Sequence, residues 1–82
     1  METSNDISKA VTALIKLMVD RPEDVLVEYM PTEEGASLRI SVAPDDVGKV
    51  VGRQGRTARS LRVLVAAMGM AAKQRISLDI QE

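Results

Sequence analysis

From Ile7 onward, apolar residues recur as Ile7, Ala10, Val11, Leu14, Ile15 and Met18, a spacing that gathers them on one face of a helix with 3.6 residues per turn. Asn5 or Asp6 stands where an N-cap is expected, because a short polar side chain there accepts one of the orphaned N–H groups. Pro22, in the connector Asp20-Arg21-Pro22-Glu23-Asp24, closes the helix. The period then changes. Val25 to Met30 is β-branched and aliphatic and reads as a strand. From Ala36 to Val42, Leu38, Ile40 and Val42 alternate with Ser37, Arg39 and Ser41, the pattern of a strand with one buried and one wet face. Pro31-Thr32-Glu33-Glu34-Gly35 between them has the residues of a hairpin loop.

Ala43-Pro44-Asp45-Asp46 ends the second strand and starts a short helix, with Asp45 as its expected N-cap and Val47, Val50 and Val51 facing inward. A longer helix begins at Arg56, where Ala58, Leu61, Leu64, Val65 and Met68 cluster on one side and Arg56, Arg59 and Arg62 fall on another. Gly69 or the residues just after it should end that helix. Arg75 to Gln81 alternates again, with Ile76, Leu78 and Ile80 inward. The order helix, strand, strand, helix, helix, strand predicts an α+β layer, a three-stranded sheet with helices packed on one face. There is no repeat and no low-complexity linker, so 1–82 is expected to be a single domain with an ordered core of about 7–80.

At 82 residues a domain buries only about 60 to 65 per cent of its unfolded surface and has a thin core with little room for a deep active site. The chain has no cysteine and no histidine, so disulfides, thiolate metal sites, the commonest general base and the commonest zinc ligand are all missing. No catalytic or metal site and no cofactor is expected. The polar, acidic start Met1-Glu2-Thr3-Ser4-Asn5-Asp6 is unlike a signal peptide, and the longest uncharged run, Val63 to Ala72, is too short to cross a bilayer. The expectation is a soluble cytoplasmic protein without membrane partners.

The net charge of −1 hides a division of the chain. Residues 1 to 46 hold four cations against ten acids, and residues 47 to 82 hold seven cations against two acids, so the halves carry −6 and +5. No acid occurs from Val47 to Leu78, which implies an anionic partner for that stretch. Within it lies Val50-Val51-Gly52-Arg53-Gln54-Gly55-Arg56-Thr57-Ala58-Arg59. Gly52 can supply the positive φ that ends one helix, and Gly55 lets a ligand approach the backbone where the next begins. A helix N-terminus with free N–H groups favours phosphate, and Lys49, Arg56 and Arg59 add attraction at longer range.

Other nucleotide-handling designs fit poorly. The P-loop spacing is not met, since Gly48-Lys49-Val50-Val51-Gly52 is not followed by the required Lys-Ser/Thr. The adjacent Asp45 and Asp46 read as a helix start in place of a Mg²⁺ site. Tyr29 is the one aromatic residue, so base stacking on exposed rings, worth about 1 to 3 kcal/mol per base, cannot be the main term. Gly48 serves either close helix packing or ligand contact. Arg62, Lys73 and Arg75 serve either as solvated surface or as contacts for the anionic partner.

The element order, with Gly-x-x-Gly between the fourth and fifth elements, resembles the type II KH fold. Val47-Gly48-Lys49-Val50-Val51-Gly52-Arg53-Gln54-Gly55-Arg56-Thr57-Ala58-Arg59 is similar to the central stretch of the small bacterial single-KH-domain proteins of KhpA type. Ala58 departs from the bulky aliphatic that many KH domains carry at that position. The resemblance implies non-catalytic RNA binding, with Gly52, Arg53, Gln54 and Gly55 clamping the backbone of about four unpaired nucleotides. It implies bases lying over a floor of Val47, Val50 and Ala58 with Ile76 and Leu78, while a thin domain equally needs Val47, Val50 and Val51 as core. Thr57 either caps the following helix or touches RNA. A role as RNA chaperone or post-transcriptional regulator is implied. So is self-association, or assembly with a larger KH-containing protein in control of cell growth or division. A single clamp without stacking should bind at roughly micromolar affinity, about −8 kcal/mol.

Val63, Ala66, Ala67 and Met70 form a second stripe on the long helix at i, i+3, i+4 and i+7, away from its core face. A helix apolar on two sides usually buries both, so this stripe is the expected interface of a homodimer.

Overall fold

The computed structural model describes residues 3–82. Helix α1 spans Thr3–Met18, strand β1 Leu26–Pro31, strand β2 Gly35–Ser41, helix α2 Val47–Val51, helix α3 Arg56–Ala71 and strand β3 Arg75–Ile80. Short 3₁₀ turns at Pro22–Asp24, Pro44–Asp46 and Arg53–Gly55 join them. The sheet order is β1-β2-β3, with β1 and β2 antiparallel and β2 and β3 parallel. The expected α+β element order is therefore observed.

The register explains the core. Leu38 of β2 stands beside Tyr29 on one side and Leu78 on the other, and Ile40 stands between Val27 and Ile80. One face of the sheet thus carries Ala36, Leu38, Ile40, Ile76, Leu78 and Ile80, all buried. Ile7, Val11 and Ile15 of α1, Val50 of α2, and Ala58, Leu61 and Val65 of α3 close over that face. Gly35 permits the close β2–β3 approach, since a Cβ there would meet the Arg75 backbone.

Several local expectations need correction. Asn5 and Asp6 lie inside α1 and are not its N-cap. Asp6 instead sits in the first turn, where a negative charge suits the helix dipole. No side chain caps α2: Pro44–Asp46 forms a separate turn, and Asp46, not Asp45, precedes the helix. On α3 the buried face is Ala58, Leu61, Val65 and Gly69. Leu64 falls on the rim of that face and is 45% exposed.

Helix α3 ends just after Gly69, as its sequence leads one to expect. The helix runs to Ala71 and closes through Lys73, left-handed at φ 59°. The Lys73 N–H donates to the Met70 carbonyl at 3.0 Å and the Gln74 N–H to the Gly69 carbonyl at 2.8 Å, the paired bonds of a Schellman motif. Gly69 is glycine for a different reason. A Cβ there would lie 2.7 Å from the Gln74 carbonyl oxygen and 3.0 Å from Ile76 Cγ1, so the missing side chain lets β3 pack against the helix.

Candidate nucleic-acid interface

Helix α2 ends where the Gly52 N–H donates to the Gly48 carbonyl at 2.8 Å. Gly52 then takes φ 78°, ψ 171°, a conformation open essentially to glycine alone. A Cβ there would also run into the Thr57 side chain, and Thr57 is half-buried beneath the turn. No side chain caps α3, whose N-cap is Gly55. Of the two roles left open for Thr57, capping is therefore not the one seen.

The turn itself is tight. Gly55 N–H donates to the Gly52 carbonyl at 3.1 Å, and Arg56 N–H donates to the Arg53 carbonyl. Gly55 is left-handed at φ 75°, ψ 14°. Gln54 is left-handed too, at φ 57°, ψ 24°, which nothing about a glutamine announces in a sequence. Arg53 and Gln54 are exposed at the apex. Arg59 Nη2 donates to the Gln54 backbone carbonyl at 3.0 Å, and Arg56 Nη2 lies 3.5 Å from Gln54 Oε1. Among the described residues Arg53 makes no side-chain hydrogen bond or ion pair, which leaves its five donors free.

Lys49 is placed differently from the arginines. Its Nζ lies 3.2 Å from Asp20 Oδ2 and 3.5 Å from Asp46 Oδ1, so two carboxylates offset its charge before any ligand arrives. The hydrogen bond and charge of Asp20, with help from Asp46, hold its pKa above the usual lysine value. Asp46 is the buried acid among the described residues, 1% exposed. Its carboxylate accepts the Asp20 and Arg21 N–H groups at 3.2 and 3.0 Å. Burial alone would push its pKa up, but these donors and Lys49 outweigh burial and hold it below the usual carboxylate value. Asp46 thereby moors the α1–β1 connector to the start of α2, a link between segments 25 and 26 residues apart that no local pattern reveals.

The expected aliphatic floor is not a surface. Val50 is 0% exposed, Ala58 and Ile76 4% and Leu78 5%, so these side chains are core and support the turn from within. Val50 has no area to offer a base. Val47 and Val51 are half-buried. Gly48 is exposed, and a Cβ on it would meet nothing, so helix packing does not account for it. Arg62 Nε donates to the Leu78 carbonyl at 3.3 Å, and Arg75 forms an exposed pair with Glu34 at 3.7 Å.

Beyond the turn, Arg56, Arg59, Ser60, Val63, Leu64 and Ala67 line an open groove along α3. Val63 is 68% and Met70 76% exposed, and Ala66 and Ala67 are also exposed. The second stripe is thus bare in the single chain, with Leu64 beside it. Among the described residues no acidic group of three or more could hold a metal ion, and no helix is long and apolar enough to cross a membrane.

A family model described as KhpA/KhpB, KH domain, matches residues 8–80. The chain is 36% identical over 76 residues to a protein of Listeria monocytogenes named RNA-binding protein KhpA, an alignment covering 93% of this chain and 100% of that one. Proteins of the same name from Mycobacterium tuberculosis and Streptomyces coelicolor are each 48% identical. The first covers 73% of this chain and 75% of its own, and the second 77% and 80%. Among solved structures, Era of Aquifex aeolicus bound to GDP and aluminium fluoride matches 98% of this chain with a TM-score of 0.64. The match spans 31% of the Era chain at 11% identity, a likeness of fold alone.

Proposed function

This chain belongs to the KhpA/KhpB family of KH domains, and on that premise we propose that it is a non-catalytic RNA-binding protein that holds short single-stranded RNA on its Gly52–Gly55 turn. The observation that carries the reading is the turn's backbone, with Gln54 and Gly55 both left-handed and the Arg53 and Gln54 side chains exposed. Arg56 and Arg59 sit behind them, in a stretch free of acids from Val47 to Leu78. Backbone N–H groups and guanidinium donors together recognise phosphate oxygens, which position a strand without reading its sequence. Gly52, Arg53, Gln54, Gly55 and Arg56 form the contact surface in this reading, with Thr57 packed below it. Lys49, paired with Asp20 and Asp46, is engaged within the chain and adds little attraction. The cellular role that fits is an RNA chaperone or post-transcriptional regulator in the cytoplasm.

Arg53→Asp with Gln54→Asp tests the reading. Aspartate tolerates the left-handed region better than most residues, so the fold should survive with a stability change of no more than about 1 kcal/mol. Two negative charges then stand where phosphate should lie. The parent should retain single-stranded RNA with a log K against log salt slope of about −2 to −3, and the double variant should lose it. Unchanged RNA retention by the variant would sink the reading.

Self-association is part of the proposal because of the bare stripe on α3. A two-fold pairing of Val63, Ala66, Ala67 and Met70 with a second copy would bring two turns into one particle and offset the weakness of each. Sedimentation should find a dimer at tens of micromolar, and Val63→Glu should make it monomeric. A larger KH-containing partner using the same stripe is the alternative occupant, and a parent that stays monomeric would favour it.

A further inference from the structure

Arg59 is read above as one cation among several, yet its contacts differ from those of a side chain waiting for phosphate. The guanidinium reaches back from the first turns of α3 and donates from Nη2 to the Gln54 backbone carbonyl at 3.0 Å. It passes over Gly55: the nearest atom to a Cβ built on that glycine is the same Nη2, at 4.0 Å. The carbonyl it holds belongs to a residue with φ 57°, a region that residues with a Cβ rarely occupy. Gln54 and Gly55 are consecutive left-handed residues; the glycine takes that region freely, but the glutamine persists in it only where surrounding groups over-determine it. Arg56, one turn earlier on the same side of α3, lies 3.5 Å from the Gln54 side-chain oxygen. Gln54 is therefore approached at both its backbone and its side chain by guanidinium groups from the following helix. Arg53, at the apex, has no such contact among the described residues.

We infer that Arg59 is the positioning residue of this turn: its guanidinium, bound to the Gln54 carbonyl, holds the left-handed Gln54–Gly55 pair in place before RNA arrives. Arg53 supplies the phosphate contact, and Arg59 supplies the shape on which that contact depends. Preorganisation of this kind raises affinity by removing the ordering cost from the binding step. The inference rests on the RNA reading for its effect on affinity, but its effect on the turn does not.

Two measurements on the full chain separate positioning from simple attraction. The first uses no RNA: backbone amide order parameters and hydrogen exchange of residues 53–56 in the free protein, parent against Arg59→Ala. Positioning requires the Gln54 and Gly55 amides to lose order and exchange faster in the variant, while β3 and α1 stay unchanged. Arg53→Ala should leave these amides as they are. The second measures binding to a short unstructured RNA, oligouridine, across a salt series. A side chain that neutralises a phosphate on a single strand reduces the log–log salt slope by about 0.7 when removed, and Arg53→Ala should show that reduction. Arg59→Ala should instead bind about tenfold more weakly at every salt concentration, the scale of one lost hydrogen bond from a charged donor, with the parent's slope. A turn that keeps its order in free Arg59→Ala overturns the inference, whatever happens to binding. So does a slope that falls by about 0.7 on losing Arg59. A parent that binds no RNA would overturn the function proposed above and leave the order measurement to decide the role of Arg59 alone.

Discussion

At the start of α3, Gln54 is held left-handed at φ 57° in an exposed turn, and just past its end Lys73 is held left-handed at φ 59° in a closed one. At the closed end the last carbonyls are taken up by the backbone: Lys73 N–H reaches Met70 and Gln74 N–H reaches Gly69. Gly69, buried, lets β3 lie against the helix. At the open end no side chain caps the helix, two residues in a row are left-handed, and arginines surround the apex. The same backbone conformation therefore finishes a helix in one place and stands at an exposed apex in the other. What distinguishes the two is the kind of partner: backbone groups take up the closed end, whereas at the open end arginine side chains hold Gln54 and the Arg53 side chain has no partner among the described residues.

The largest expected effect comes from breaking the closed end. Gly69→Val places a branched side chain where even a Cβ would sit 2.7 Å from a backbone oxygen and about 3 Å from Ile76, and such overpacking costs about 3 kcal/mol. In a domain of this size that lowers Tm by more than about 10 °C. Thermal unfolding followed by circular dichroism measures it, and RNA affinity per folded molecule should not change. A variant as stable as the parent would mean that β3 does not need the close approach.

The sequence places the end of α3 at Gly69 or just after it, and the helix ends at Ala71, but nothing in that pattern tells why residue 69 itself is a glycine. Periodicity recovered the six elements and their order because amphipathic spacing is a local property of each segment. Gly69 stands near the end of such a segment, and a local rule reads it only as a sign that the helix stops there or just after. The contacts that require a glycine there are Ile76 on the next strand and the Gln74 carbonyl in the turn before it. Asp46 repeats the lesson: capping rules favoured its neighbour Asp45, whereas the partners of Asp46 are backbone groups on the α1–β1 connector. Leu64 sits just outside the width of the buried stripe, where 3.6-residue spacing alone cannot separate rim from core. At the candidate site, Gly52 and Gly55 were legible because positive φ has a residue signature. The left-handed state of Gln54 and the grip of Arg59 on it have none.

A second, intermediate effect sharpens the comparison through pH. The open end is moored by charge, since Asp46 holds the connector before α2 and pairs with Lys49, while the closed end is held by backbone bonds that do not titrate. The pKa of Asp46 is lower in the folded chain than its ordinary value of 3.8. Its contribution is therefore complete above about pH 4 and is lost as pH falls through the depressed folded value. The pKa of Lys49 is raised from 10.5, so its contribution is complete below that and is lost as pH rises through the folded value. Stability should fall at both extremes. Amide exchange near pH 3 should loosen α2 and the Gly52–Gly55 turn before residues 69–74. Asp46→Asn should abolish the acid step on a protein already less stable at neutral pH. Equal loosening at both ends would show that the mooring does not act locally.

The smallest effect exchanges the two left-handed residues for glycine. At position 73 the chain meets its requirement for positive φ with a lysine, which bears the steric penalty of its Cβ. Lys73→Gly should stabilise the domain by about 0.5 to 1 kcal/mol, because glycine takes that conformation without the penalty. Tm should rise by about 4 °C, with RNA affinity little changed. Gln54→Gly removes the same penalty at the other end, so stability alone should respond much as it does at position 73. It also deletes the side chain that Arg56 approaches and frees a second consecutive residue of the turn, so RNA affinity should drop severalfold even as the fold tightens or holds. The pair of variants asks one question of both ends: whether relieving the same strain is neutral for binding at the closed end and harmful at the open one. If Gln54→Gly binds RNA as well as Lys73→Gly does, the left-handed glutamine has no part in presenting the turn, and the two ends differ only in exposure.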